Sequence, residues 1–201
     1  MLRKDDTMEE VMRNVQVYGL DTSVIASGYP MADSYDENRM VEGVTEKDYK
    51  RAKKLAGTAP GHGHDCFLKG IVAQFDLTLS EKVWPQLQRY HFIDIVSSMS
   101  TIHMMPKMKV QFMEYVDPQI IAIFKNLVKK YNEEPTREKW LRMIYSYPSG
   151  MLLTARVTTN YLQLKGMYAQ RKCHPIPEWE QFRGEMIDKL PFFKELCVKE
   201  D

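Results

Sequence analysis

Residues 71–79 constrain the fold of this chain more than any other stretch. Ile71, Ala73, Phe75, Leu77 and Leu79 alternate with Val72, Gln74, Asp76 and Thr78. Successive side chains of a strand point to opposite faces, so this period of two predicts a strand with one apolar face. Residues 14–20 alternate well enough for a first strand. Most other signals are helical. Thr45 reads as an N-cap with acidic residues after it, predicting a helix to about Leu55. Gly57 to Gly63 is a breaker-rich turn. Ser80 is expected to cap a helix running to about His91, with Pro85 early enough to be tolerated. Asp117-Pro118 and Thr136 start two further helices, the second reaching about Tyr145 before Pro148-Ser149-Gly150. The first of these carries an apolar face of Ile120, Ile121, Phe124, Leu127 and Val128. Residues 158–171 read as a helix, and Pro177 opens another bearing Trp179, Phe182, Met186 and Leu190. Residues 26–44 read as a loop, and 93–96 as either a short buried strand or a helix continuation. The expectation is an α+β fold: one helix-rich domain over 1–201 with a small mixed or antiparallel sheet.

Composition narrows the function. The chain has 201 residues, 44% hydrophobic and 27% charged, as in soluble globular proteins. Its net charge of +1 provides no global field toward nucleic acid or an acidic membrane. Cys66, Cys173 and Cys197 lack CxxC spacing, which argues against a disulfide framework or cysteine-based zinc site and for a reducing, cytoplasmic setting. Met1–Asp6 has no apolar signal-peptide core, and no apolar run is long enough to span a bilayer. The 14 methionines suit core filling, with some for a pliable interface.

Two polar clusters carry the chemistry. Gln86-Leu87-Gln88-Arg89-Tyr90-His91 places an amide, a guanidinium and an imidazole close together, and Ser97-Ser98-Met99-Ser100 follows. On a helix Gln86 and Arg89 would share a face. Arg suits phosphate or a carbonyl edge, and Gln a base or ring edge, although a solvated polar face would look the same. Thr158-Thr159-Asn160-Tyr161, with Arg171 and Trp179, forms the second cluster. Arg142, among Trp140, Met143 and Ile144, reads equally as a partly buried or a snorkelling residue. His62-x-His64 lacks the converging ligands a metal needs, so no metal is expected. His64 suits a loop position beside a cofactor or an ordinary surface. No GxSxG elbow, P-loop or GxGxxG motif is present, and His103 is near the serines only in sequence.

Taken in order, these segments resemble the flavin-dependent thymidylate synthases over about residues 45–190. Gly63-His64-Asp65-Cys66-Phe67-Leu68-Lys69-Gly70-Ile71 stands for the family's GH-x(2)-PFEH-type loop. Gln86 to His91 stands for Q-x-x-RHR, and Ser97 to His103 for NE-x-S-x-R. Arg142 to Pro148 and Thr158 to Arg171 with Trp179-Glu180 resemble its C-terminal segments. The resemblance implies FAD as cofactor, NADPH and methylenetetrahydrofolate as co-substrates, and one-carbon transfer to C5 of dUMP or a related pyrimidine nucleotide. It implies a homotetramer with active sites between subunits. His64, Arg89, Tyr90, His91 and Asn160 would face the flavin. Gln86, Ser97, Ser98, Ser100, Arg142 and Arg171 would face the nucleotide, with Ser100 and His91 as the catalytic candidates. A small divergent relative of this kind suits a virus of bacteria.

The chain departs from the family pattern at five places. RHR is Arg89-Tyr90-His91, Asn-Glu is Ser97-Ser98, and the Arg of NE-x-S-x-R is Ile102. Gly70 stands at the PFEH histidine, and Asn160-Tyr161-Leu162 replaces Asn-x-Arg. Each lost charge-assisted bond costs about 1.5–3 kcal/mol. Two alternatives therefore stay open: a non-catalytic relative binding a nucleotide or a protein partner, and an unrelated helical interaction protein.

Overall fold

The computed structural model describes residues 10–58 and 62–199. Met1–Asp6 and residues 59–61 of the expected turn lie outside the described residues.

Four strands, β1 (Met12–Tyr18), β2 (Val72–Ser80), β3 (Ile93–Ser98) and β4 (Leu152–Asn160), form an antiparallel sheet in the order β1-β2-β4-β3. The alternation of residues 71–79 does what its period requires: Ala73, Phe75, Leu77 and Leu79 are fully buried, while Gln74 and Asp76 lie on the other face. Between Arg13 and Gln16, β1 carries a bulge. Asn14 sits there at φ 50°, a left-handed conformation that Asn tolerates better than most residues, and its amide donates to Asp76 at 2.6 Å.

The helices are α1 (Leu20–Ala26), α2 (Glu46–Ala56), α3 (Trp84–Leu87), α4 (Thr101–Met104), α5 (Pro118–Glu133), α6 (Arg137–Tyr145), α7 (Tyr161–Gln170), α8 (Pro177–Lys189) and α9 (Phe193–Cys197). The main core joins the apolar sheet face to buried residues of α1, α2, α3, α7, α8 and α9, with Trp179, Tyr161, Phe75, Phe182 and Phe193 fully buried. A second cluster holds Met105, Phe124, Val128, Met143 and Met151, and unites α5 with α6.

Local rules set the helix starts. Thr45 accepts a hydrogen bond from the Asp48 N–H while Asp48 accepts one from the Thr45 N–H, a complete capping box. Asp117 caps α5 with Pro118 at its first position, and Thr136 caps α6. Gly19, at φ +71°, turns β1 into α1. A Cβ there would meet the Gly70 carbonyl oxygen at 2.5 Å, so only glycine allows this approach.

Several expectations are corrected. Ser80 ends β2 instead of capping a helix: its N–H and hydroxyl both donate to the Glu178 carboxylate, at 2.6 and 3.0 Å. The helix expected to reach His91 is the single turn α3, because the chain must be extended by Ile93 to pair with Thr159 on β4. Gln86 and Arg89 therefore share no helix face. Residues 93–96 belong to a strand, yet only Ile93 is buried, because β3 is an edge. Residues 158–160 are strand, and the helix begins at Tyr161. The stretch expected as a loop from residue 26 follows a helix, α1, that has no cap or periodic signal in the sequence. On α5, only Phe124 and Val128 are buried, and Ile120 is 48% exposed.

Candidate functional site

The two polar clusters of the sequence meet. Arg171, following α7, lays its guanidinium 4.1 Å from the ring centroid of Trp179 and 5.3 Å from that of Tyr90. Its Nε donates to the Tyr90 hydroxyl at 2.8 Å and its Nη1 to Gln86 Oε1 at 3.3 Å. Gln86 Oε1 also accepts from the indole N–H of Trp179 at 3.1 Å, and Tyr90 donates to Gln170 Oε1 at 2.8 Å. Each partner is placed by its element. Trp179 is buried by the amphipathic face of α8, Gln86 rides on α3, and Tyr90 closes the turn after it. The buried indole N–H needs an acceptor, and Gln86 supplies it. Cation–π stacking of this kind contributes about 0.5–2 kcal/mol. Gln170 and the stacking role of Trp179 left no sequence signal, since both depend on how α7 and α8 pack.

From this cluster the chain runs along an open edge. Arg89, His91, Ser97, Ser98 and Ser100 are all exposed. The Thr159 hydroxyl donates to the Phe92 carbonyl at 2.5 Å and ties the start of the edge to the sheet. Ser98 lines a cavity of about 130 Å³ with Glu81, Trp84, Gln88 and Ile95. Burial raises the Glu81 carboxyl above its ordinary value, so it holds a proton to higher pH than a solvated glutamate. Ser100 caps α4, and its hydroxyl lies 2.8 Å from His103 Nδ1. His103 is thus close in space as well as in sequence, through an ordinary i,i+3 capping geometry.

The remaining expected residues lie elsewhere. Arg142 is exposed on α6 and pairs with Glu138 at 2.7 Å. Among the described residues it shares no hydrogen bond, ion pair or ring contact with Gln86, Tyr90 or Arg171. Asn160 caps α7 by accepting from the Gln163 N–H at 2.9 Å. His64 is exposed, its ring 6.4 Å from that of His62. Among the described residues, no hydrogen bond, ion pair or ring contact joins Arg89, Arg142, Asn160 and Arg171 to one another. Among the described residues, no three or more His, Cys, Asp or Glu side chains gather as metal ligands, and no helix is long and apolar enough to cross a membrane.

Three buried carboxylates outside the two polar clusters, those of Asp48, Glu178 and Glu185, hold the architecture. Glu185 accepts from the N–H groups of Val11 and Met12 at 2.8 and 2.7 Å, tying α8 to the start of β1. Glu178 and Glu185 lie on the same side of α8 as Phe182, and acids on an apolar face were the available signal. Asp48 bonds Arg39, Arg51 and Thr45. Burial alone would raise its carboxyl, but the hydrogen bonds from Thr45, Arg39 and Arg51 outweigh that and hold it well below the usual carboxylate range.

No family model and no curated protein matches the chain in sequence. Its fold does have counterparts. A crystal structure of the flavin-dependent thymidylate synthase ThyX from Helicobacter pylori, complexed with FAD and dUMP, matches 94% of this chain and 100% of its own, with a TM-score of 0.71 and 17% identity. A second structure of that enzyme with FAD and dUMP matches 92% of this chain and 97% of its own, with a TM-score of 0.68 and 15% identity. A helix-rich chain built on a small antiparallel sheet, aligned over nearly its whole length with both structures, has the fold of the flavin-dependent thymidylate synthases.

Proposed function

We propose that this protein binds FAD and a pyrimidine nucleotide, dUMP or a related base, and transfers a one-carbon unit reductively to C5 of the pyrimidine. One observation carries the reading: almost the entire chain shares its fold with an enzyme whose structures contain FAD and dUMP. The donor set along the exposed edge fits such ligands. Arg89 and His91 offer cationic and imidazole groups, and Ser97, Ser98 and Ser100 offer hydroxyls suited to phosphate oxygens. Gln86, Tyr90 and Arg171 border this edge, while His64, Asn160 and Arg142 would reach a ligand from other parts of the assembly. Bound FAD would supply the redox chemistry, with NADPH as reductant and methylenetetrahydrofolate as one-carbon source. The residues of this chain would hold the anionic groups and orient the rings, and Ser100 and His91 are the side chains we assign to the reacting nucleotide.

A site between copies, in a homotetramer, is part of the proposal. Strand β3 is an edge with unpaired backbone groups. Phe92 and Val96 are 64% and 60% exposed, and Ile95, Met99 and Ile102 are also open. A long apolar edge is a pairing surface unless covered. The three free thiols accord with a reducing, cytoplasmic setting.

A second reading, a scaffold relative that binds without catalysis, is favoured by a specific observation. Arg171 commits two of its five N–H donors to Tyr90 and Gln86, Arg142 is paired with Glu138, and Ile102 holds a position where the family carries Arg. The test is incubation with FAD, NADPH, methylenetetrahydrofolate and dUMP, followed by mass spectrometry of the nucleotide. Formation of dTMP supports the enzyme. Flavin binding without dTMP supports the scaffold, and absence of both flavin and nucleotide binding overturns the shared reading.

A further inference from the structure

We propose a second ligand site, for a small polyanion, in the basic cavity between α2, α7 and α9. The cavity measures about 500 Å³, within the range that accommodates small ligands. Four lysines line it, Lys53, Lys165, Lys194 and Lys199, against Glu195 in the lining and Asp65, which pairs with Lys165. Ala56, Gly57, Leu196, Cys197 and Val198 supply the rest of the wall. For a chain whose net charge is only +1, four lysines against two acids is a local excess of positive charge.

Lys165 anchors the site. Its side chain is 12% exposed, and its Nζ donates to the Ala56 carbonyl at 2.7 Å and to Asp65 at 2.6 Å. An ammonium carries three N–H donors, so one remains for a ligand at the cavity wall. The backbone that frames the wall is fixed as well. Tyr161 of α7 stacks edge-on against Phe193 of α9 at 5.4 Å, and Cys197 Sγ lies 3.8 Å from the Tyr161 carbonyl. Burial raises the Cys197 thiol well above its ordinary value, so the sulfur brings no negative charge to the cavity.

The lining selects the ligand class. It contains no aromatic ring on which a base could stack and no guanidinium fork for bidentate recognition. Lysines act as separate point charges, and several of them spaced around one cavity suit a compact molecule bearing two or more phosphate or carboxylate groups. None of the lining residues belongs to the edge assigned above to FAD and the nucleotide, so this inference does not rest on that reading.

Calorimetric titration of the full chain with tripolyphosphate and, separately, with citrate tests the proposal and distinguishes phosphate from carboxylate sources. At low salt at least one of them should bind with submillimolar affinity, and binding should weaken about tenfold when salt rises from about 0.05 to about 0.3 M. The double variant K53E/K194E changes two exposed side chains and should bind about tenfold or more weaker with an unchanged Tm. K50E, on an exposed position of α2 outside the cavity, should bind as the parent does. Should the double variant unfold, K199Q alone should still weaken binding severalfold. Failure of both anions to bind, or equal binding by K50E and the cavity variants, would overturn the site.

Discussion

Two neighbouring regions of this molecule treat similar side chains in opposite ways. Around Trp179 the polar side chains engage one another: Arg171 stacks and donates, Gln86 accepts twice, and Tyr90 both donates and accepts. A few residues further on, Arg89, His91, Ser97 and Ser98 stand in solvent beside exposed Phe92 and Val96. The first region stabilises the fold. The second leaves polar and apolar groups open to solvent. Residue type alone does not tell the two regions apart; what differs is that the side chains of the first are bonded to one another.

That contrast can be broken by substitution. Trp179→Ala should have the largest effect, costing about 3–5 kcal/mol for the lost buried ring and leaving Gln86 and Arg171 without their partner, as read by chemical denaturation. Asp48→Asn should cost about 3 kcal/mol by leaving two half-buried arginines without their carboxylate. The same carboxylate sets an acid limit. Its pKa is lower in the folded chain than in the unfolded one, so its contribution is complete above the unfolded value of about 4 and is lost as pH falls below it. The parent should therefore lose stability across that window, and Asp48→Asn should lose less. Arg171→Lys keeps the charge but removes the planar stack and fork, and should cost about 1–2 kcal/mol with a shifted Trp fluorescence. At the open edge, Ser97→Ala with Ser98→Ala should leave stability within about 0.5 kcal/mol, yet weaken nucleotide binding about fivefold if one hydrogen bond is lost. A large stability loss there, or none at Arg171, would dissolve the distinction.

The helices opened by Thr45, Asp117, Thr136 and Pro177 were legible because caps and proline act locally. So was β2, because alternation along one strand needs no partner to be seen. β4 was hidden: Ala155, Val157 and Thr159 alternate into the core, but Arg156 and the Thr-Thr-Asn run resembled a helix start. The helix expected after Ser80 failed because tertiary demands, the Glu178 clamp and the β3–β4 pairing, outweighed local preference. At the candidate site the sequence identified Gln86, Tyr90, Arg171 and Trp179 as residues of interest, but not that they would satisfy one another. Contacts of that kind link residues 80 or more positions apart, which no local pattern encodes.

The open edge as a flavin and nucleotide surface is tested most directly by titrating FAD into the protein and its Arg89→Ala variant while following the absorption spectrum. The parent should bind saturably and the variant at least about tenfold more weakly, with equal thermal stability of the two without ligand. A parent protein that leaves the FAD spectrum and the heat of mixing unchanged would contradict it.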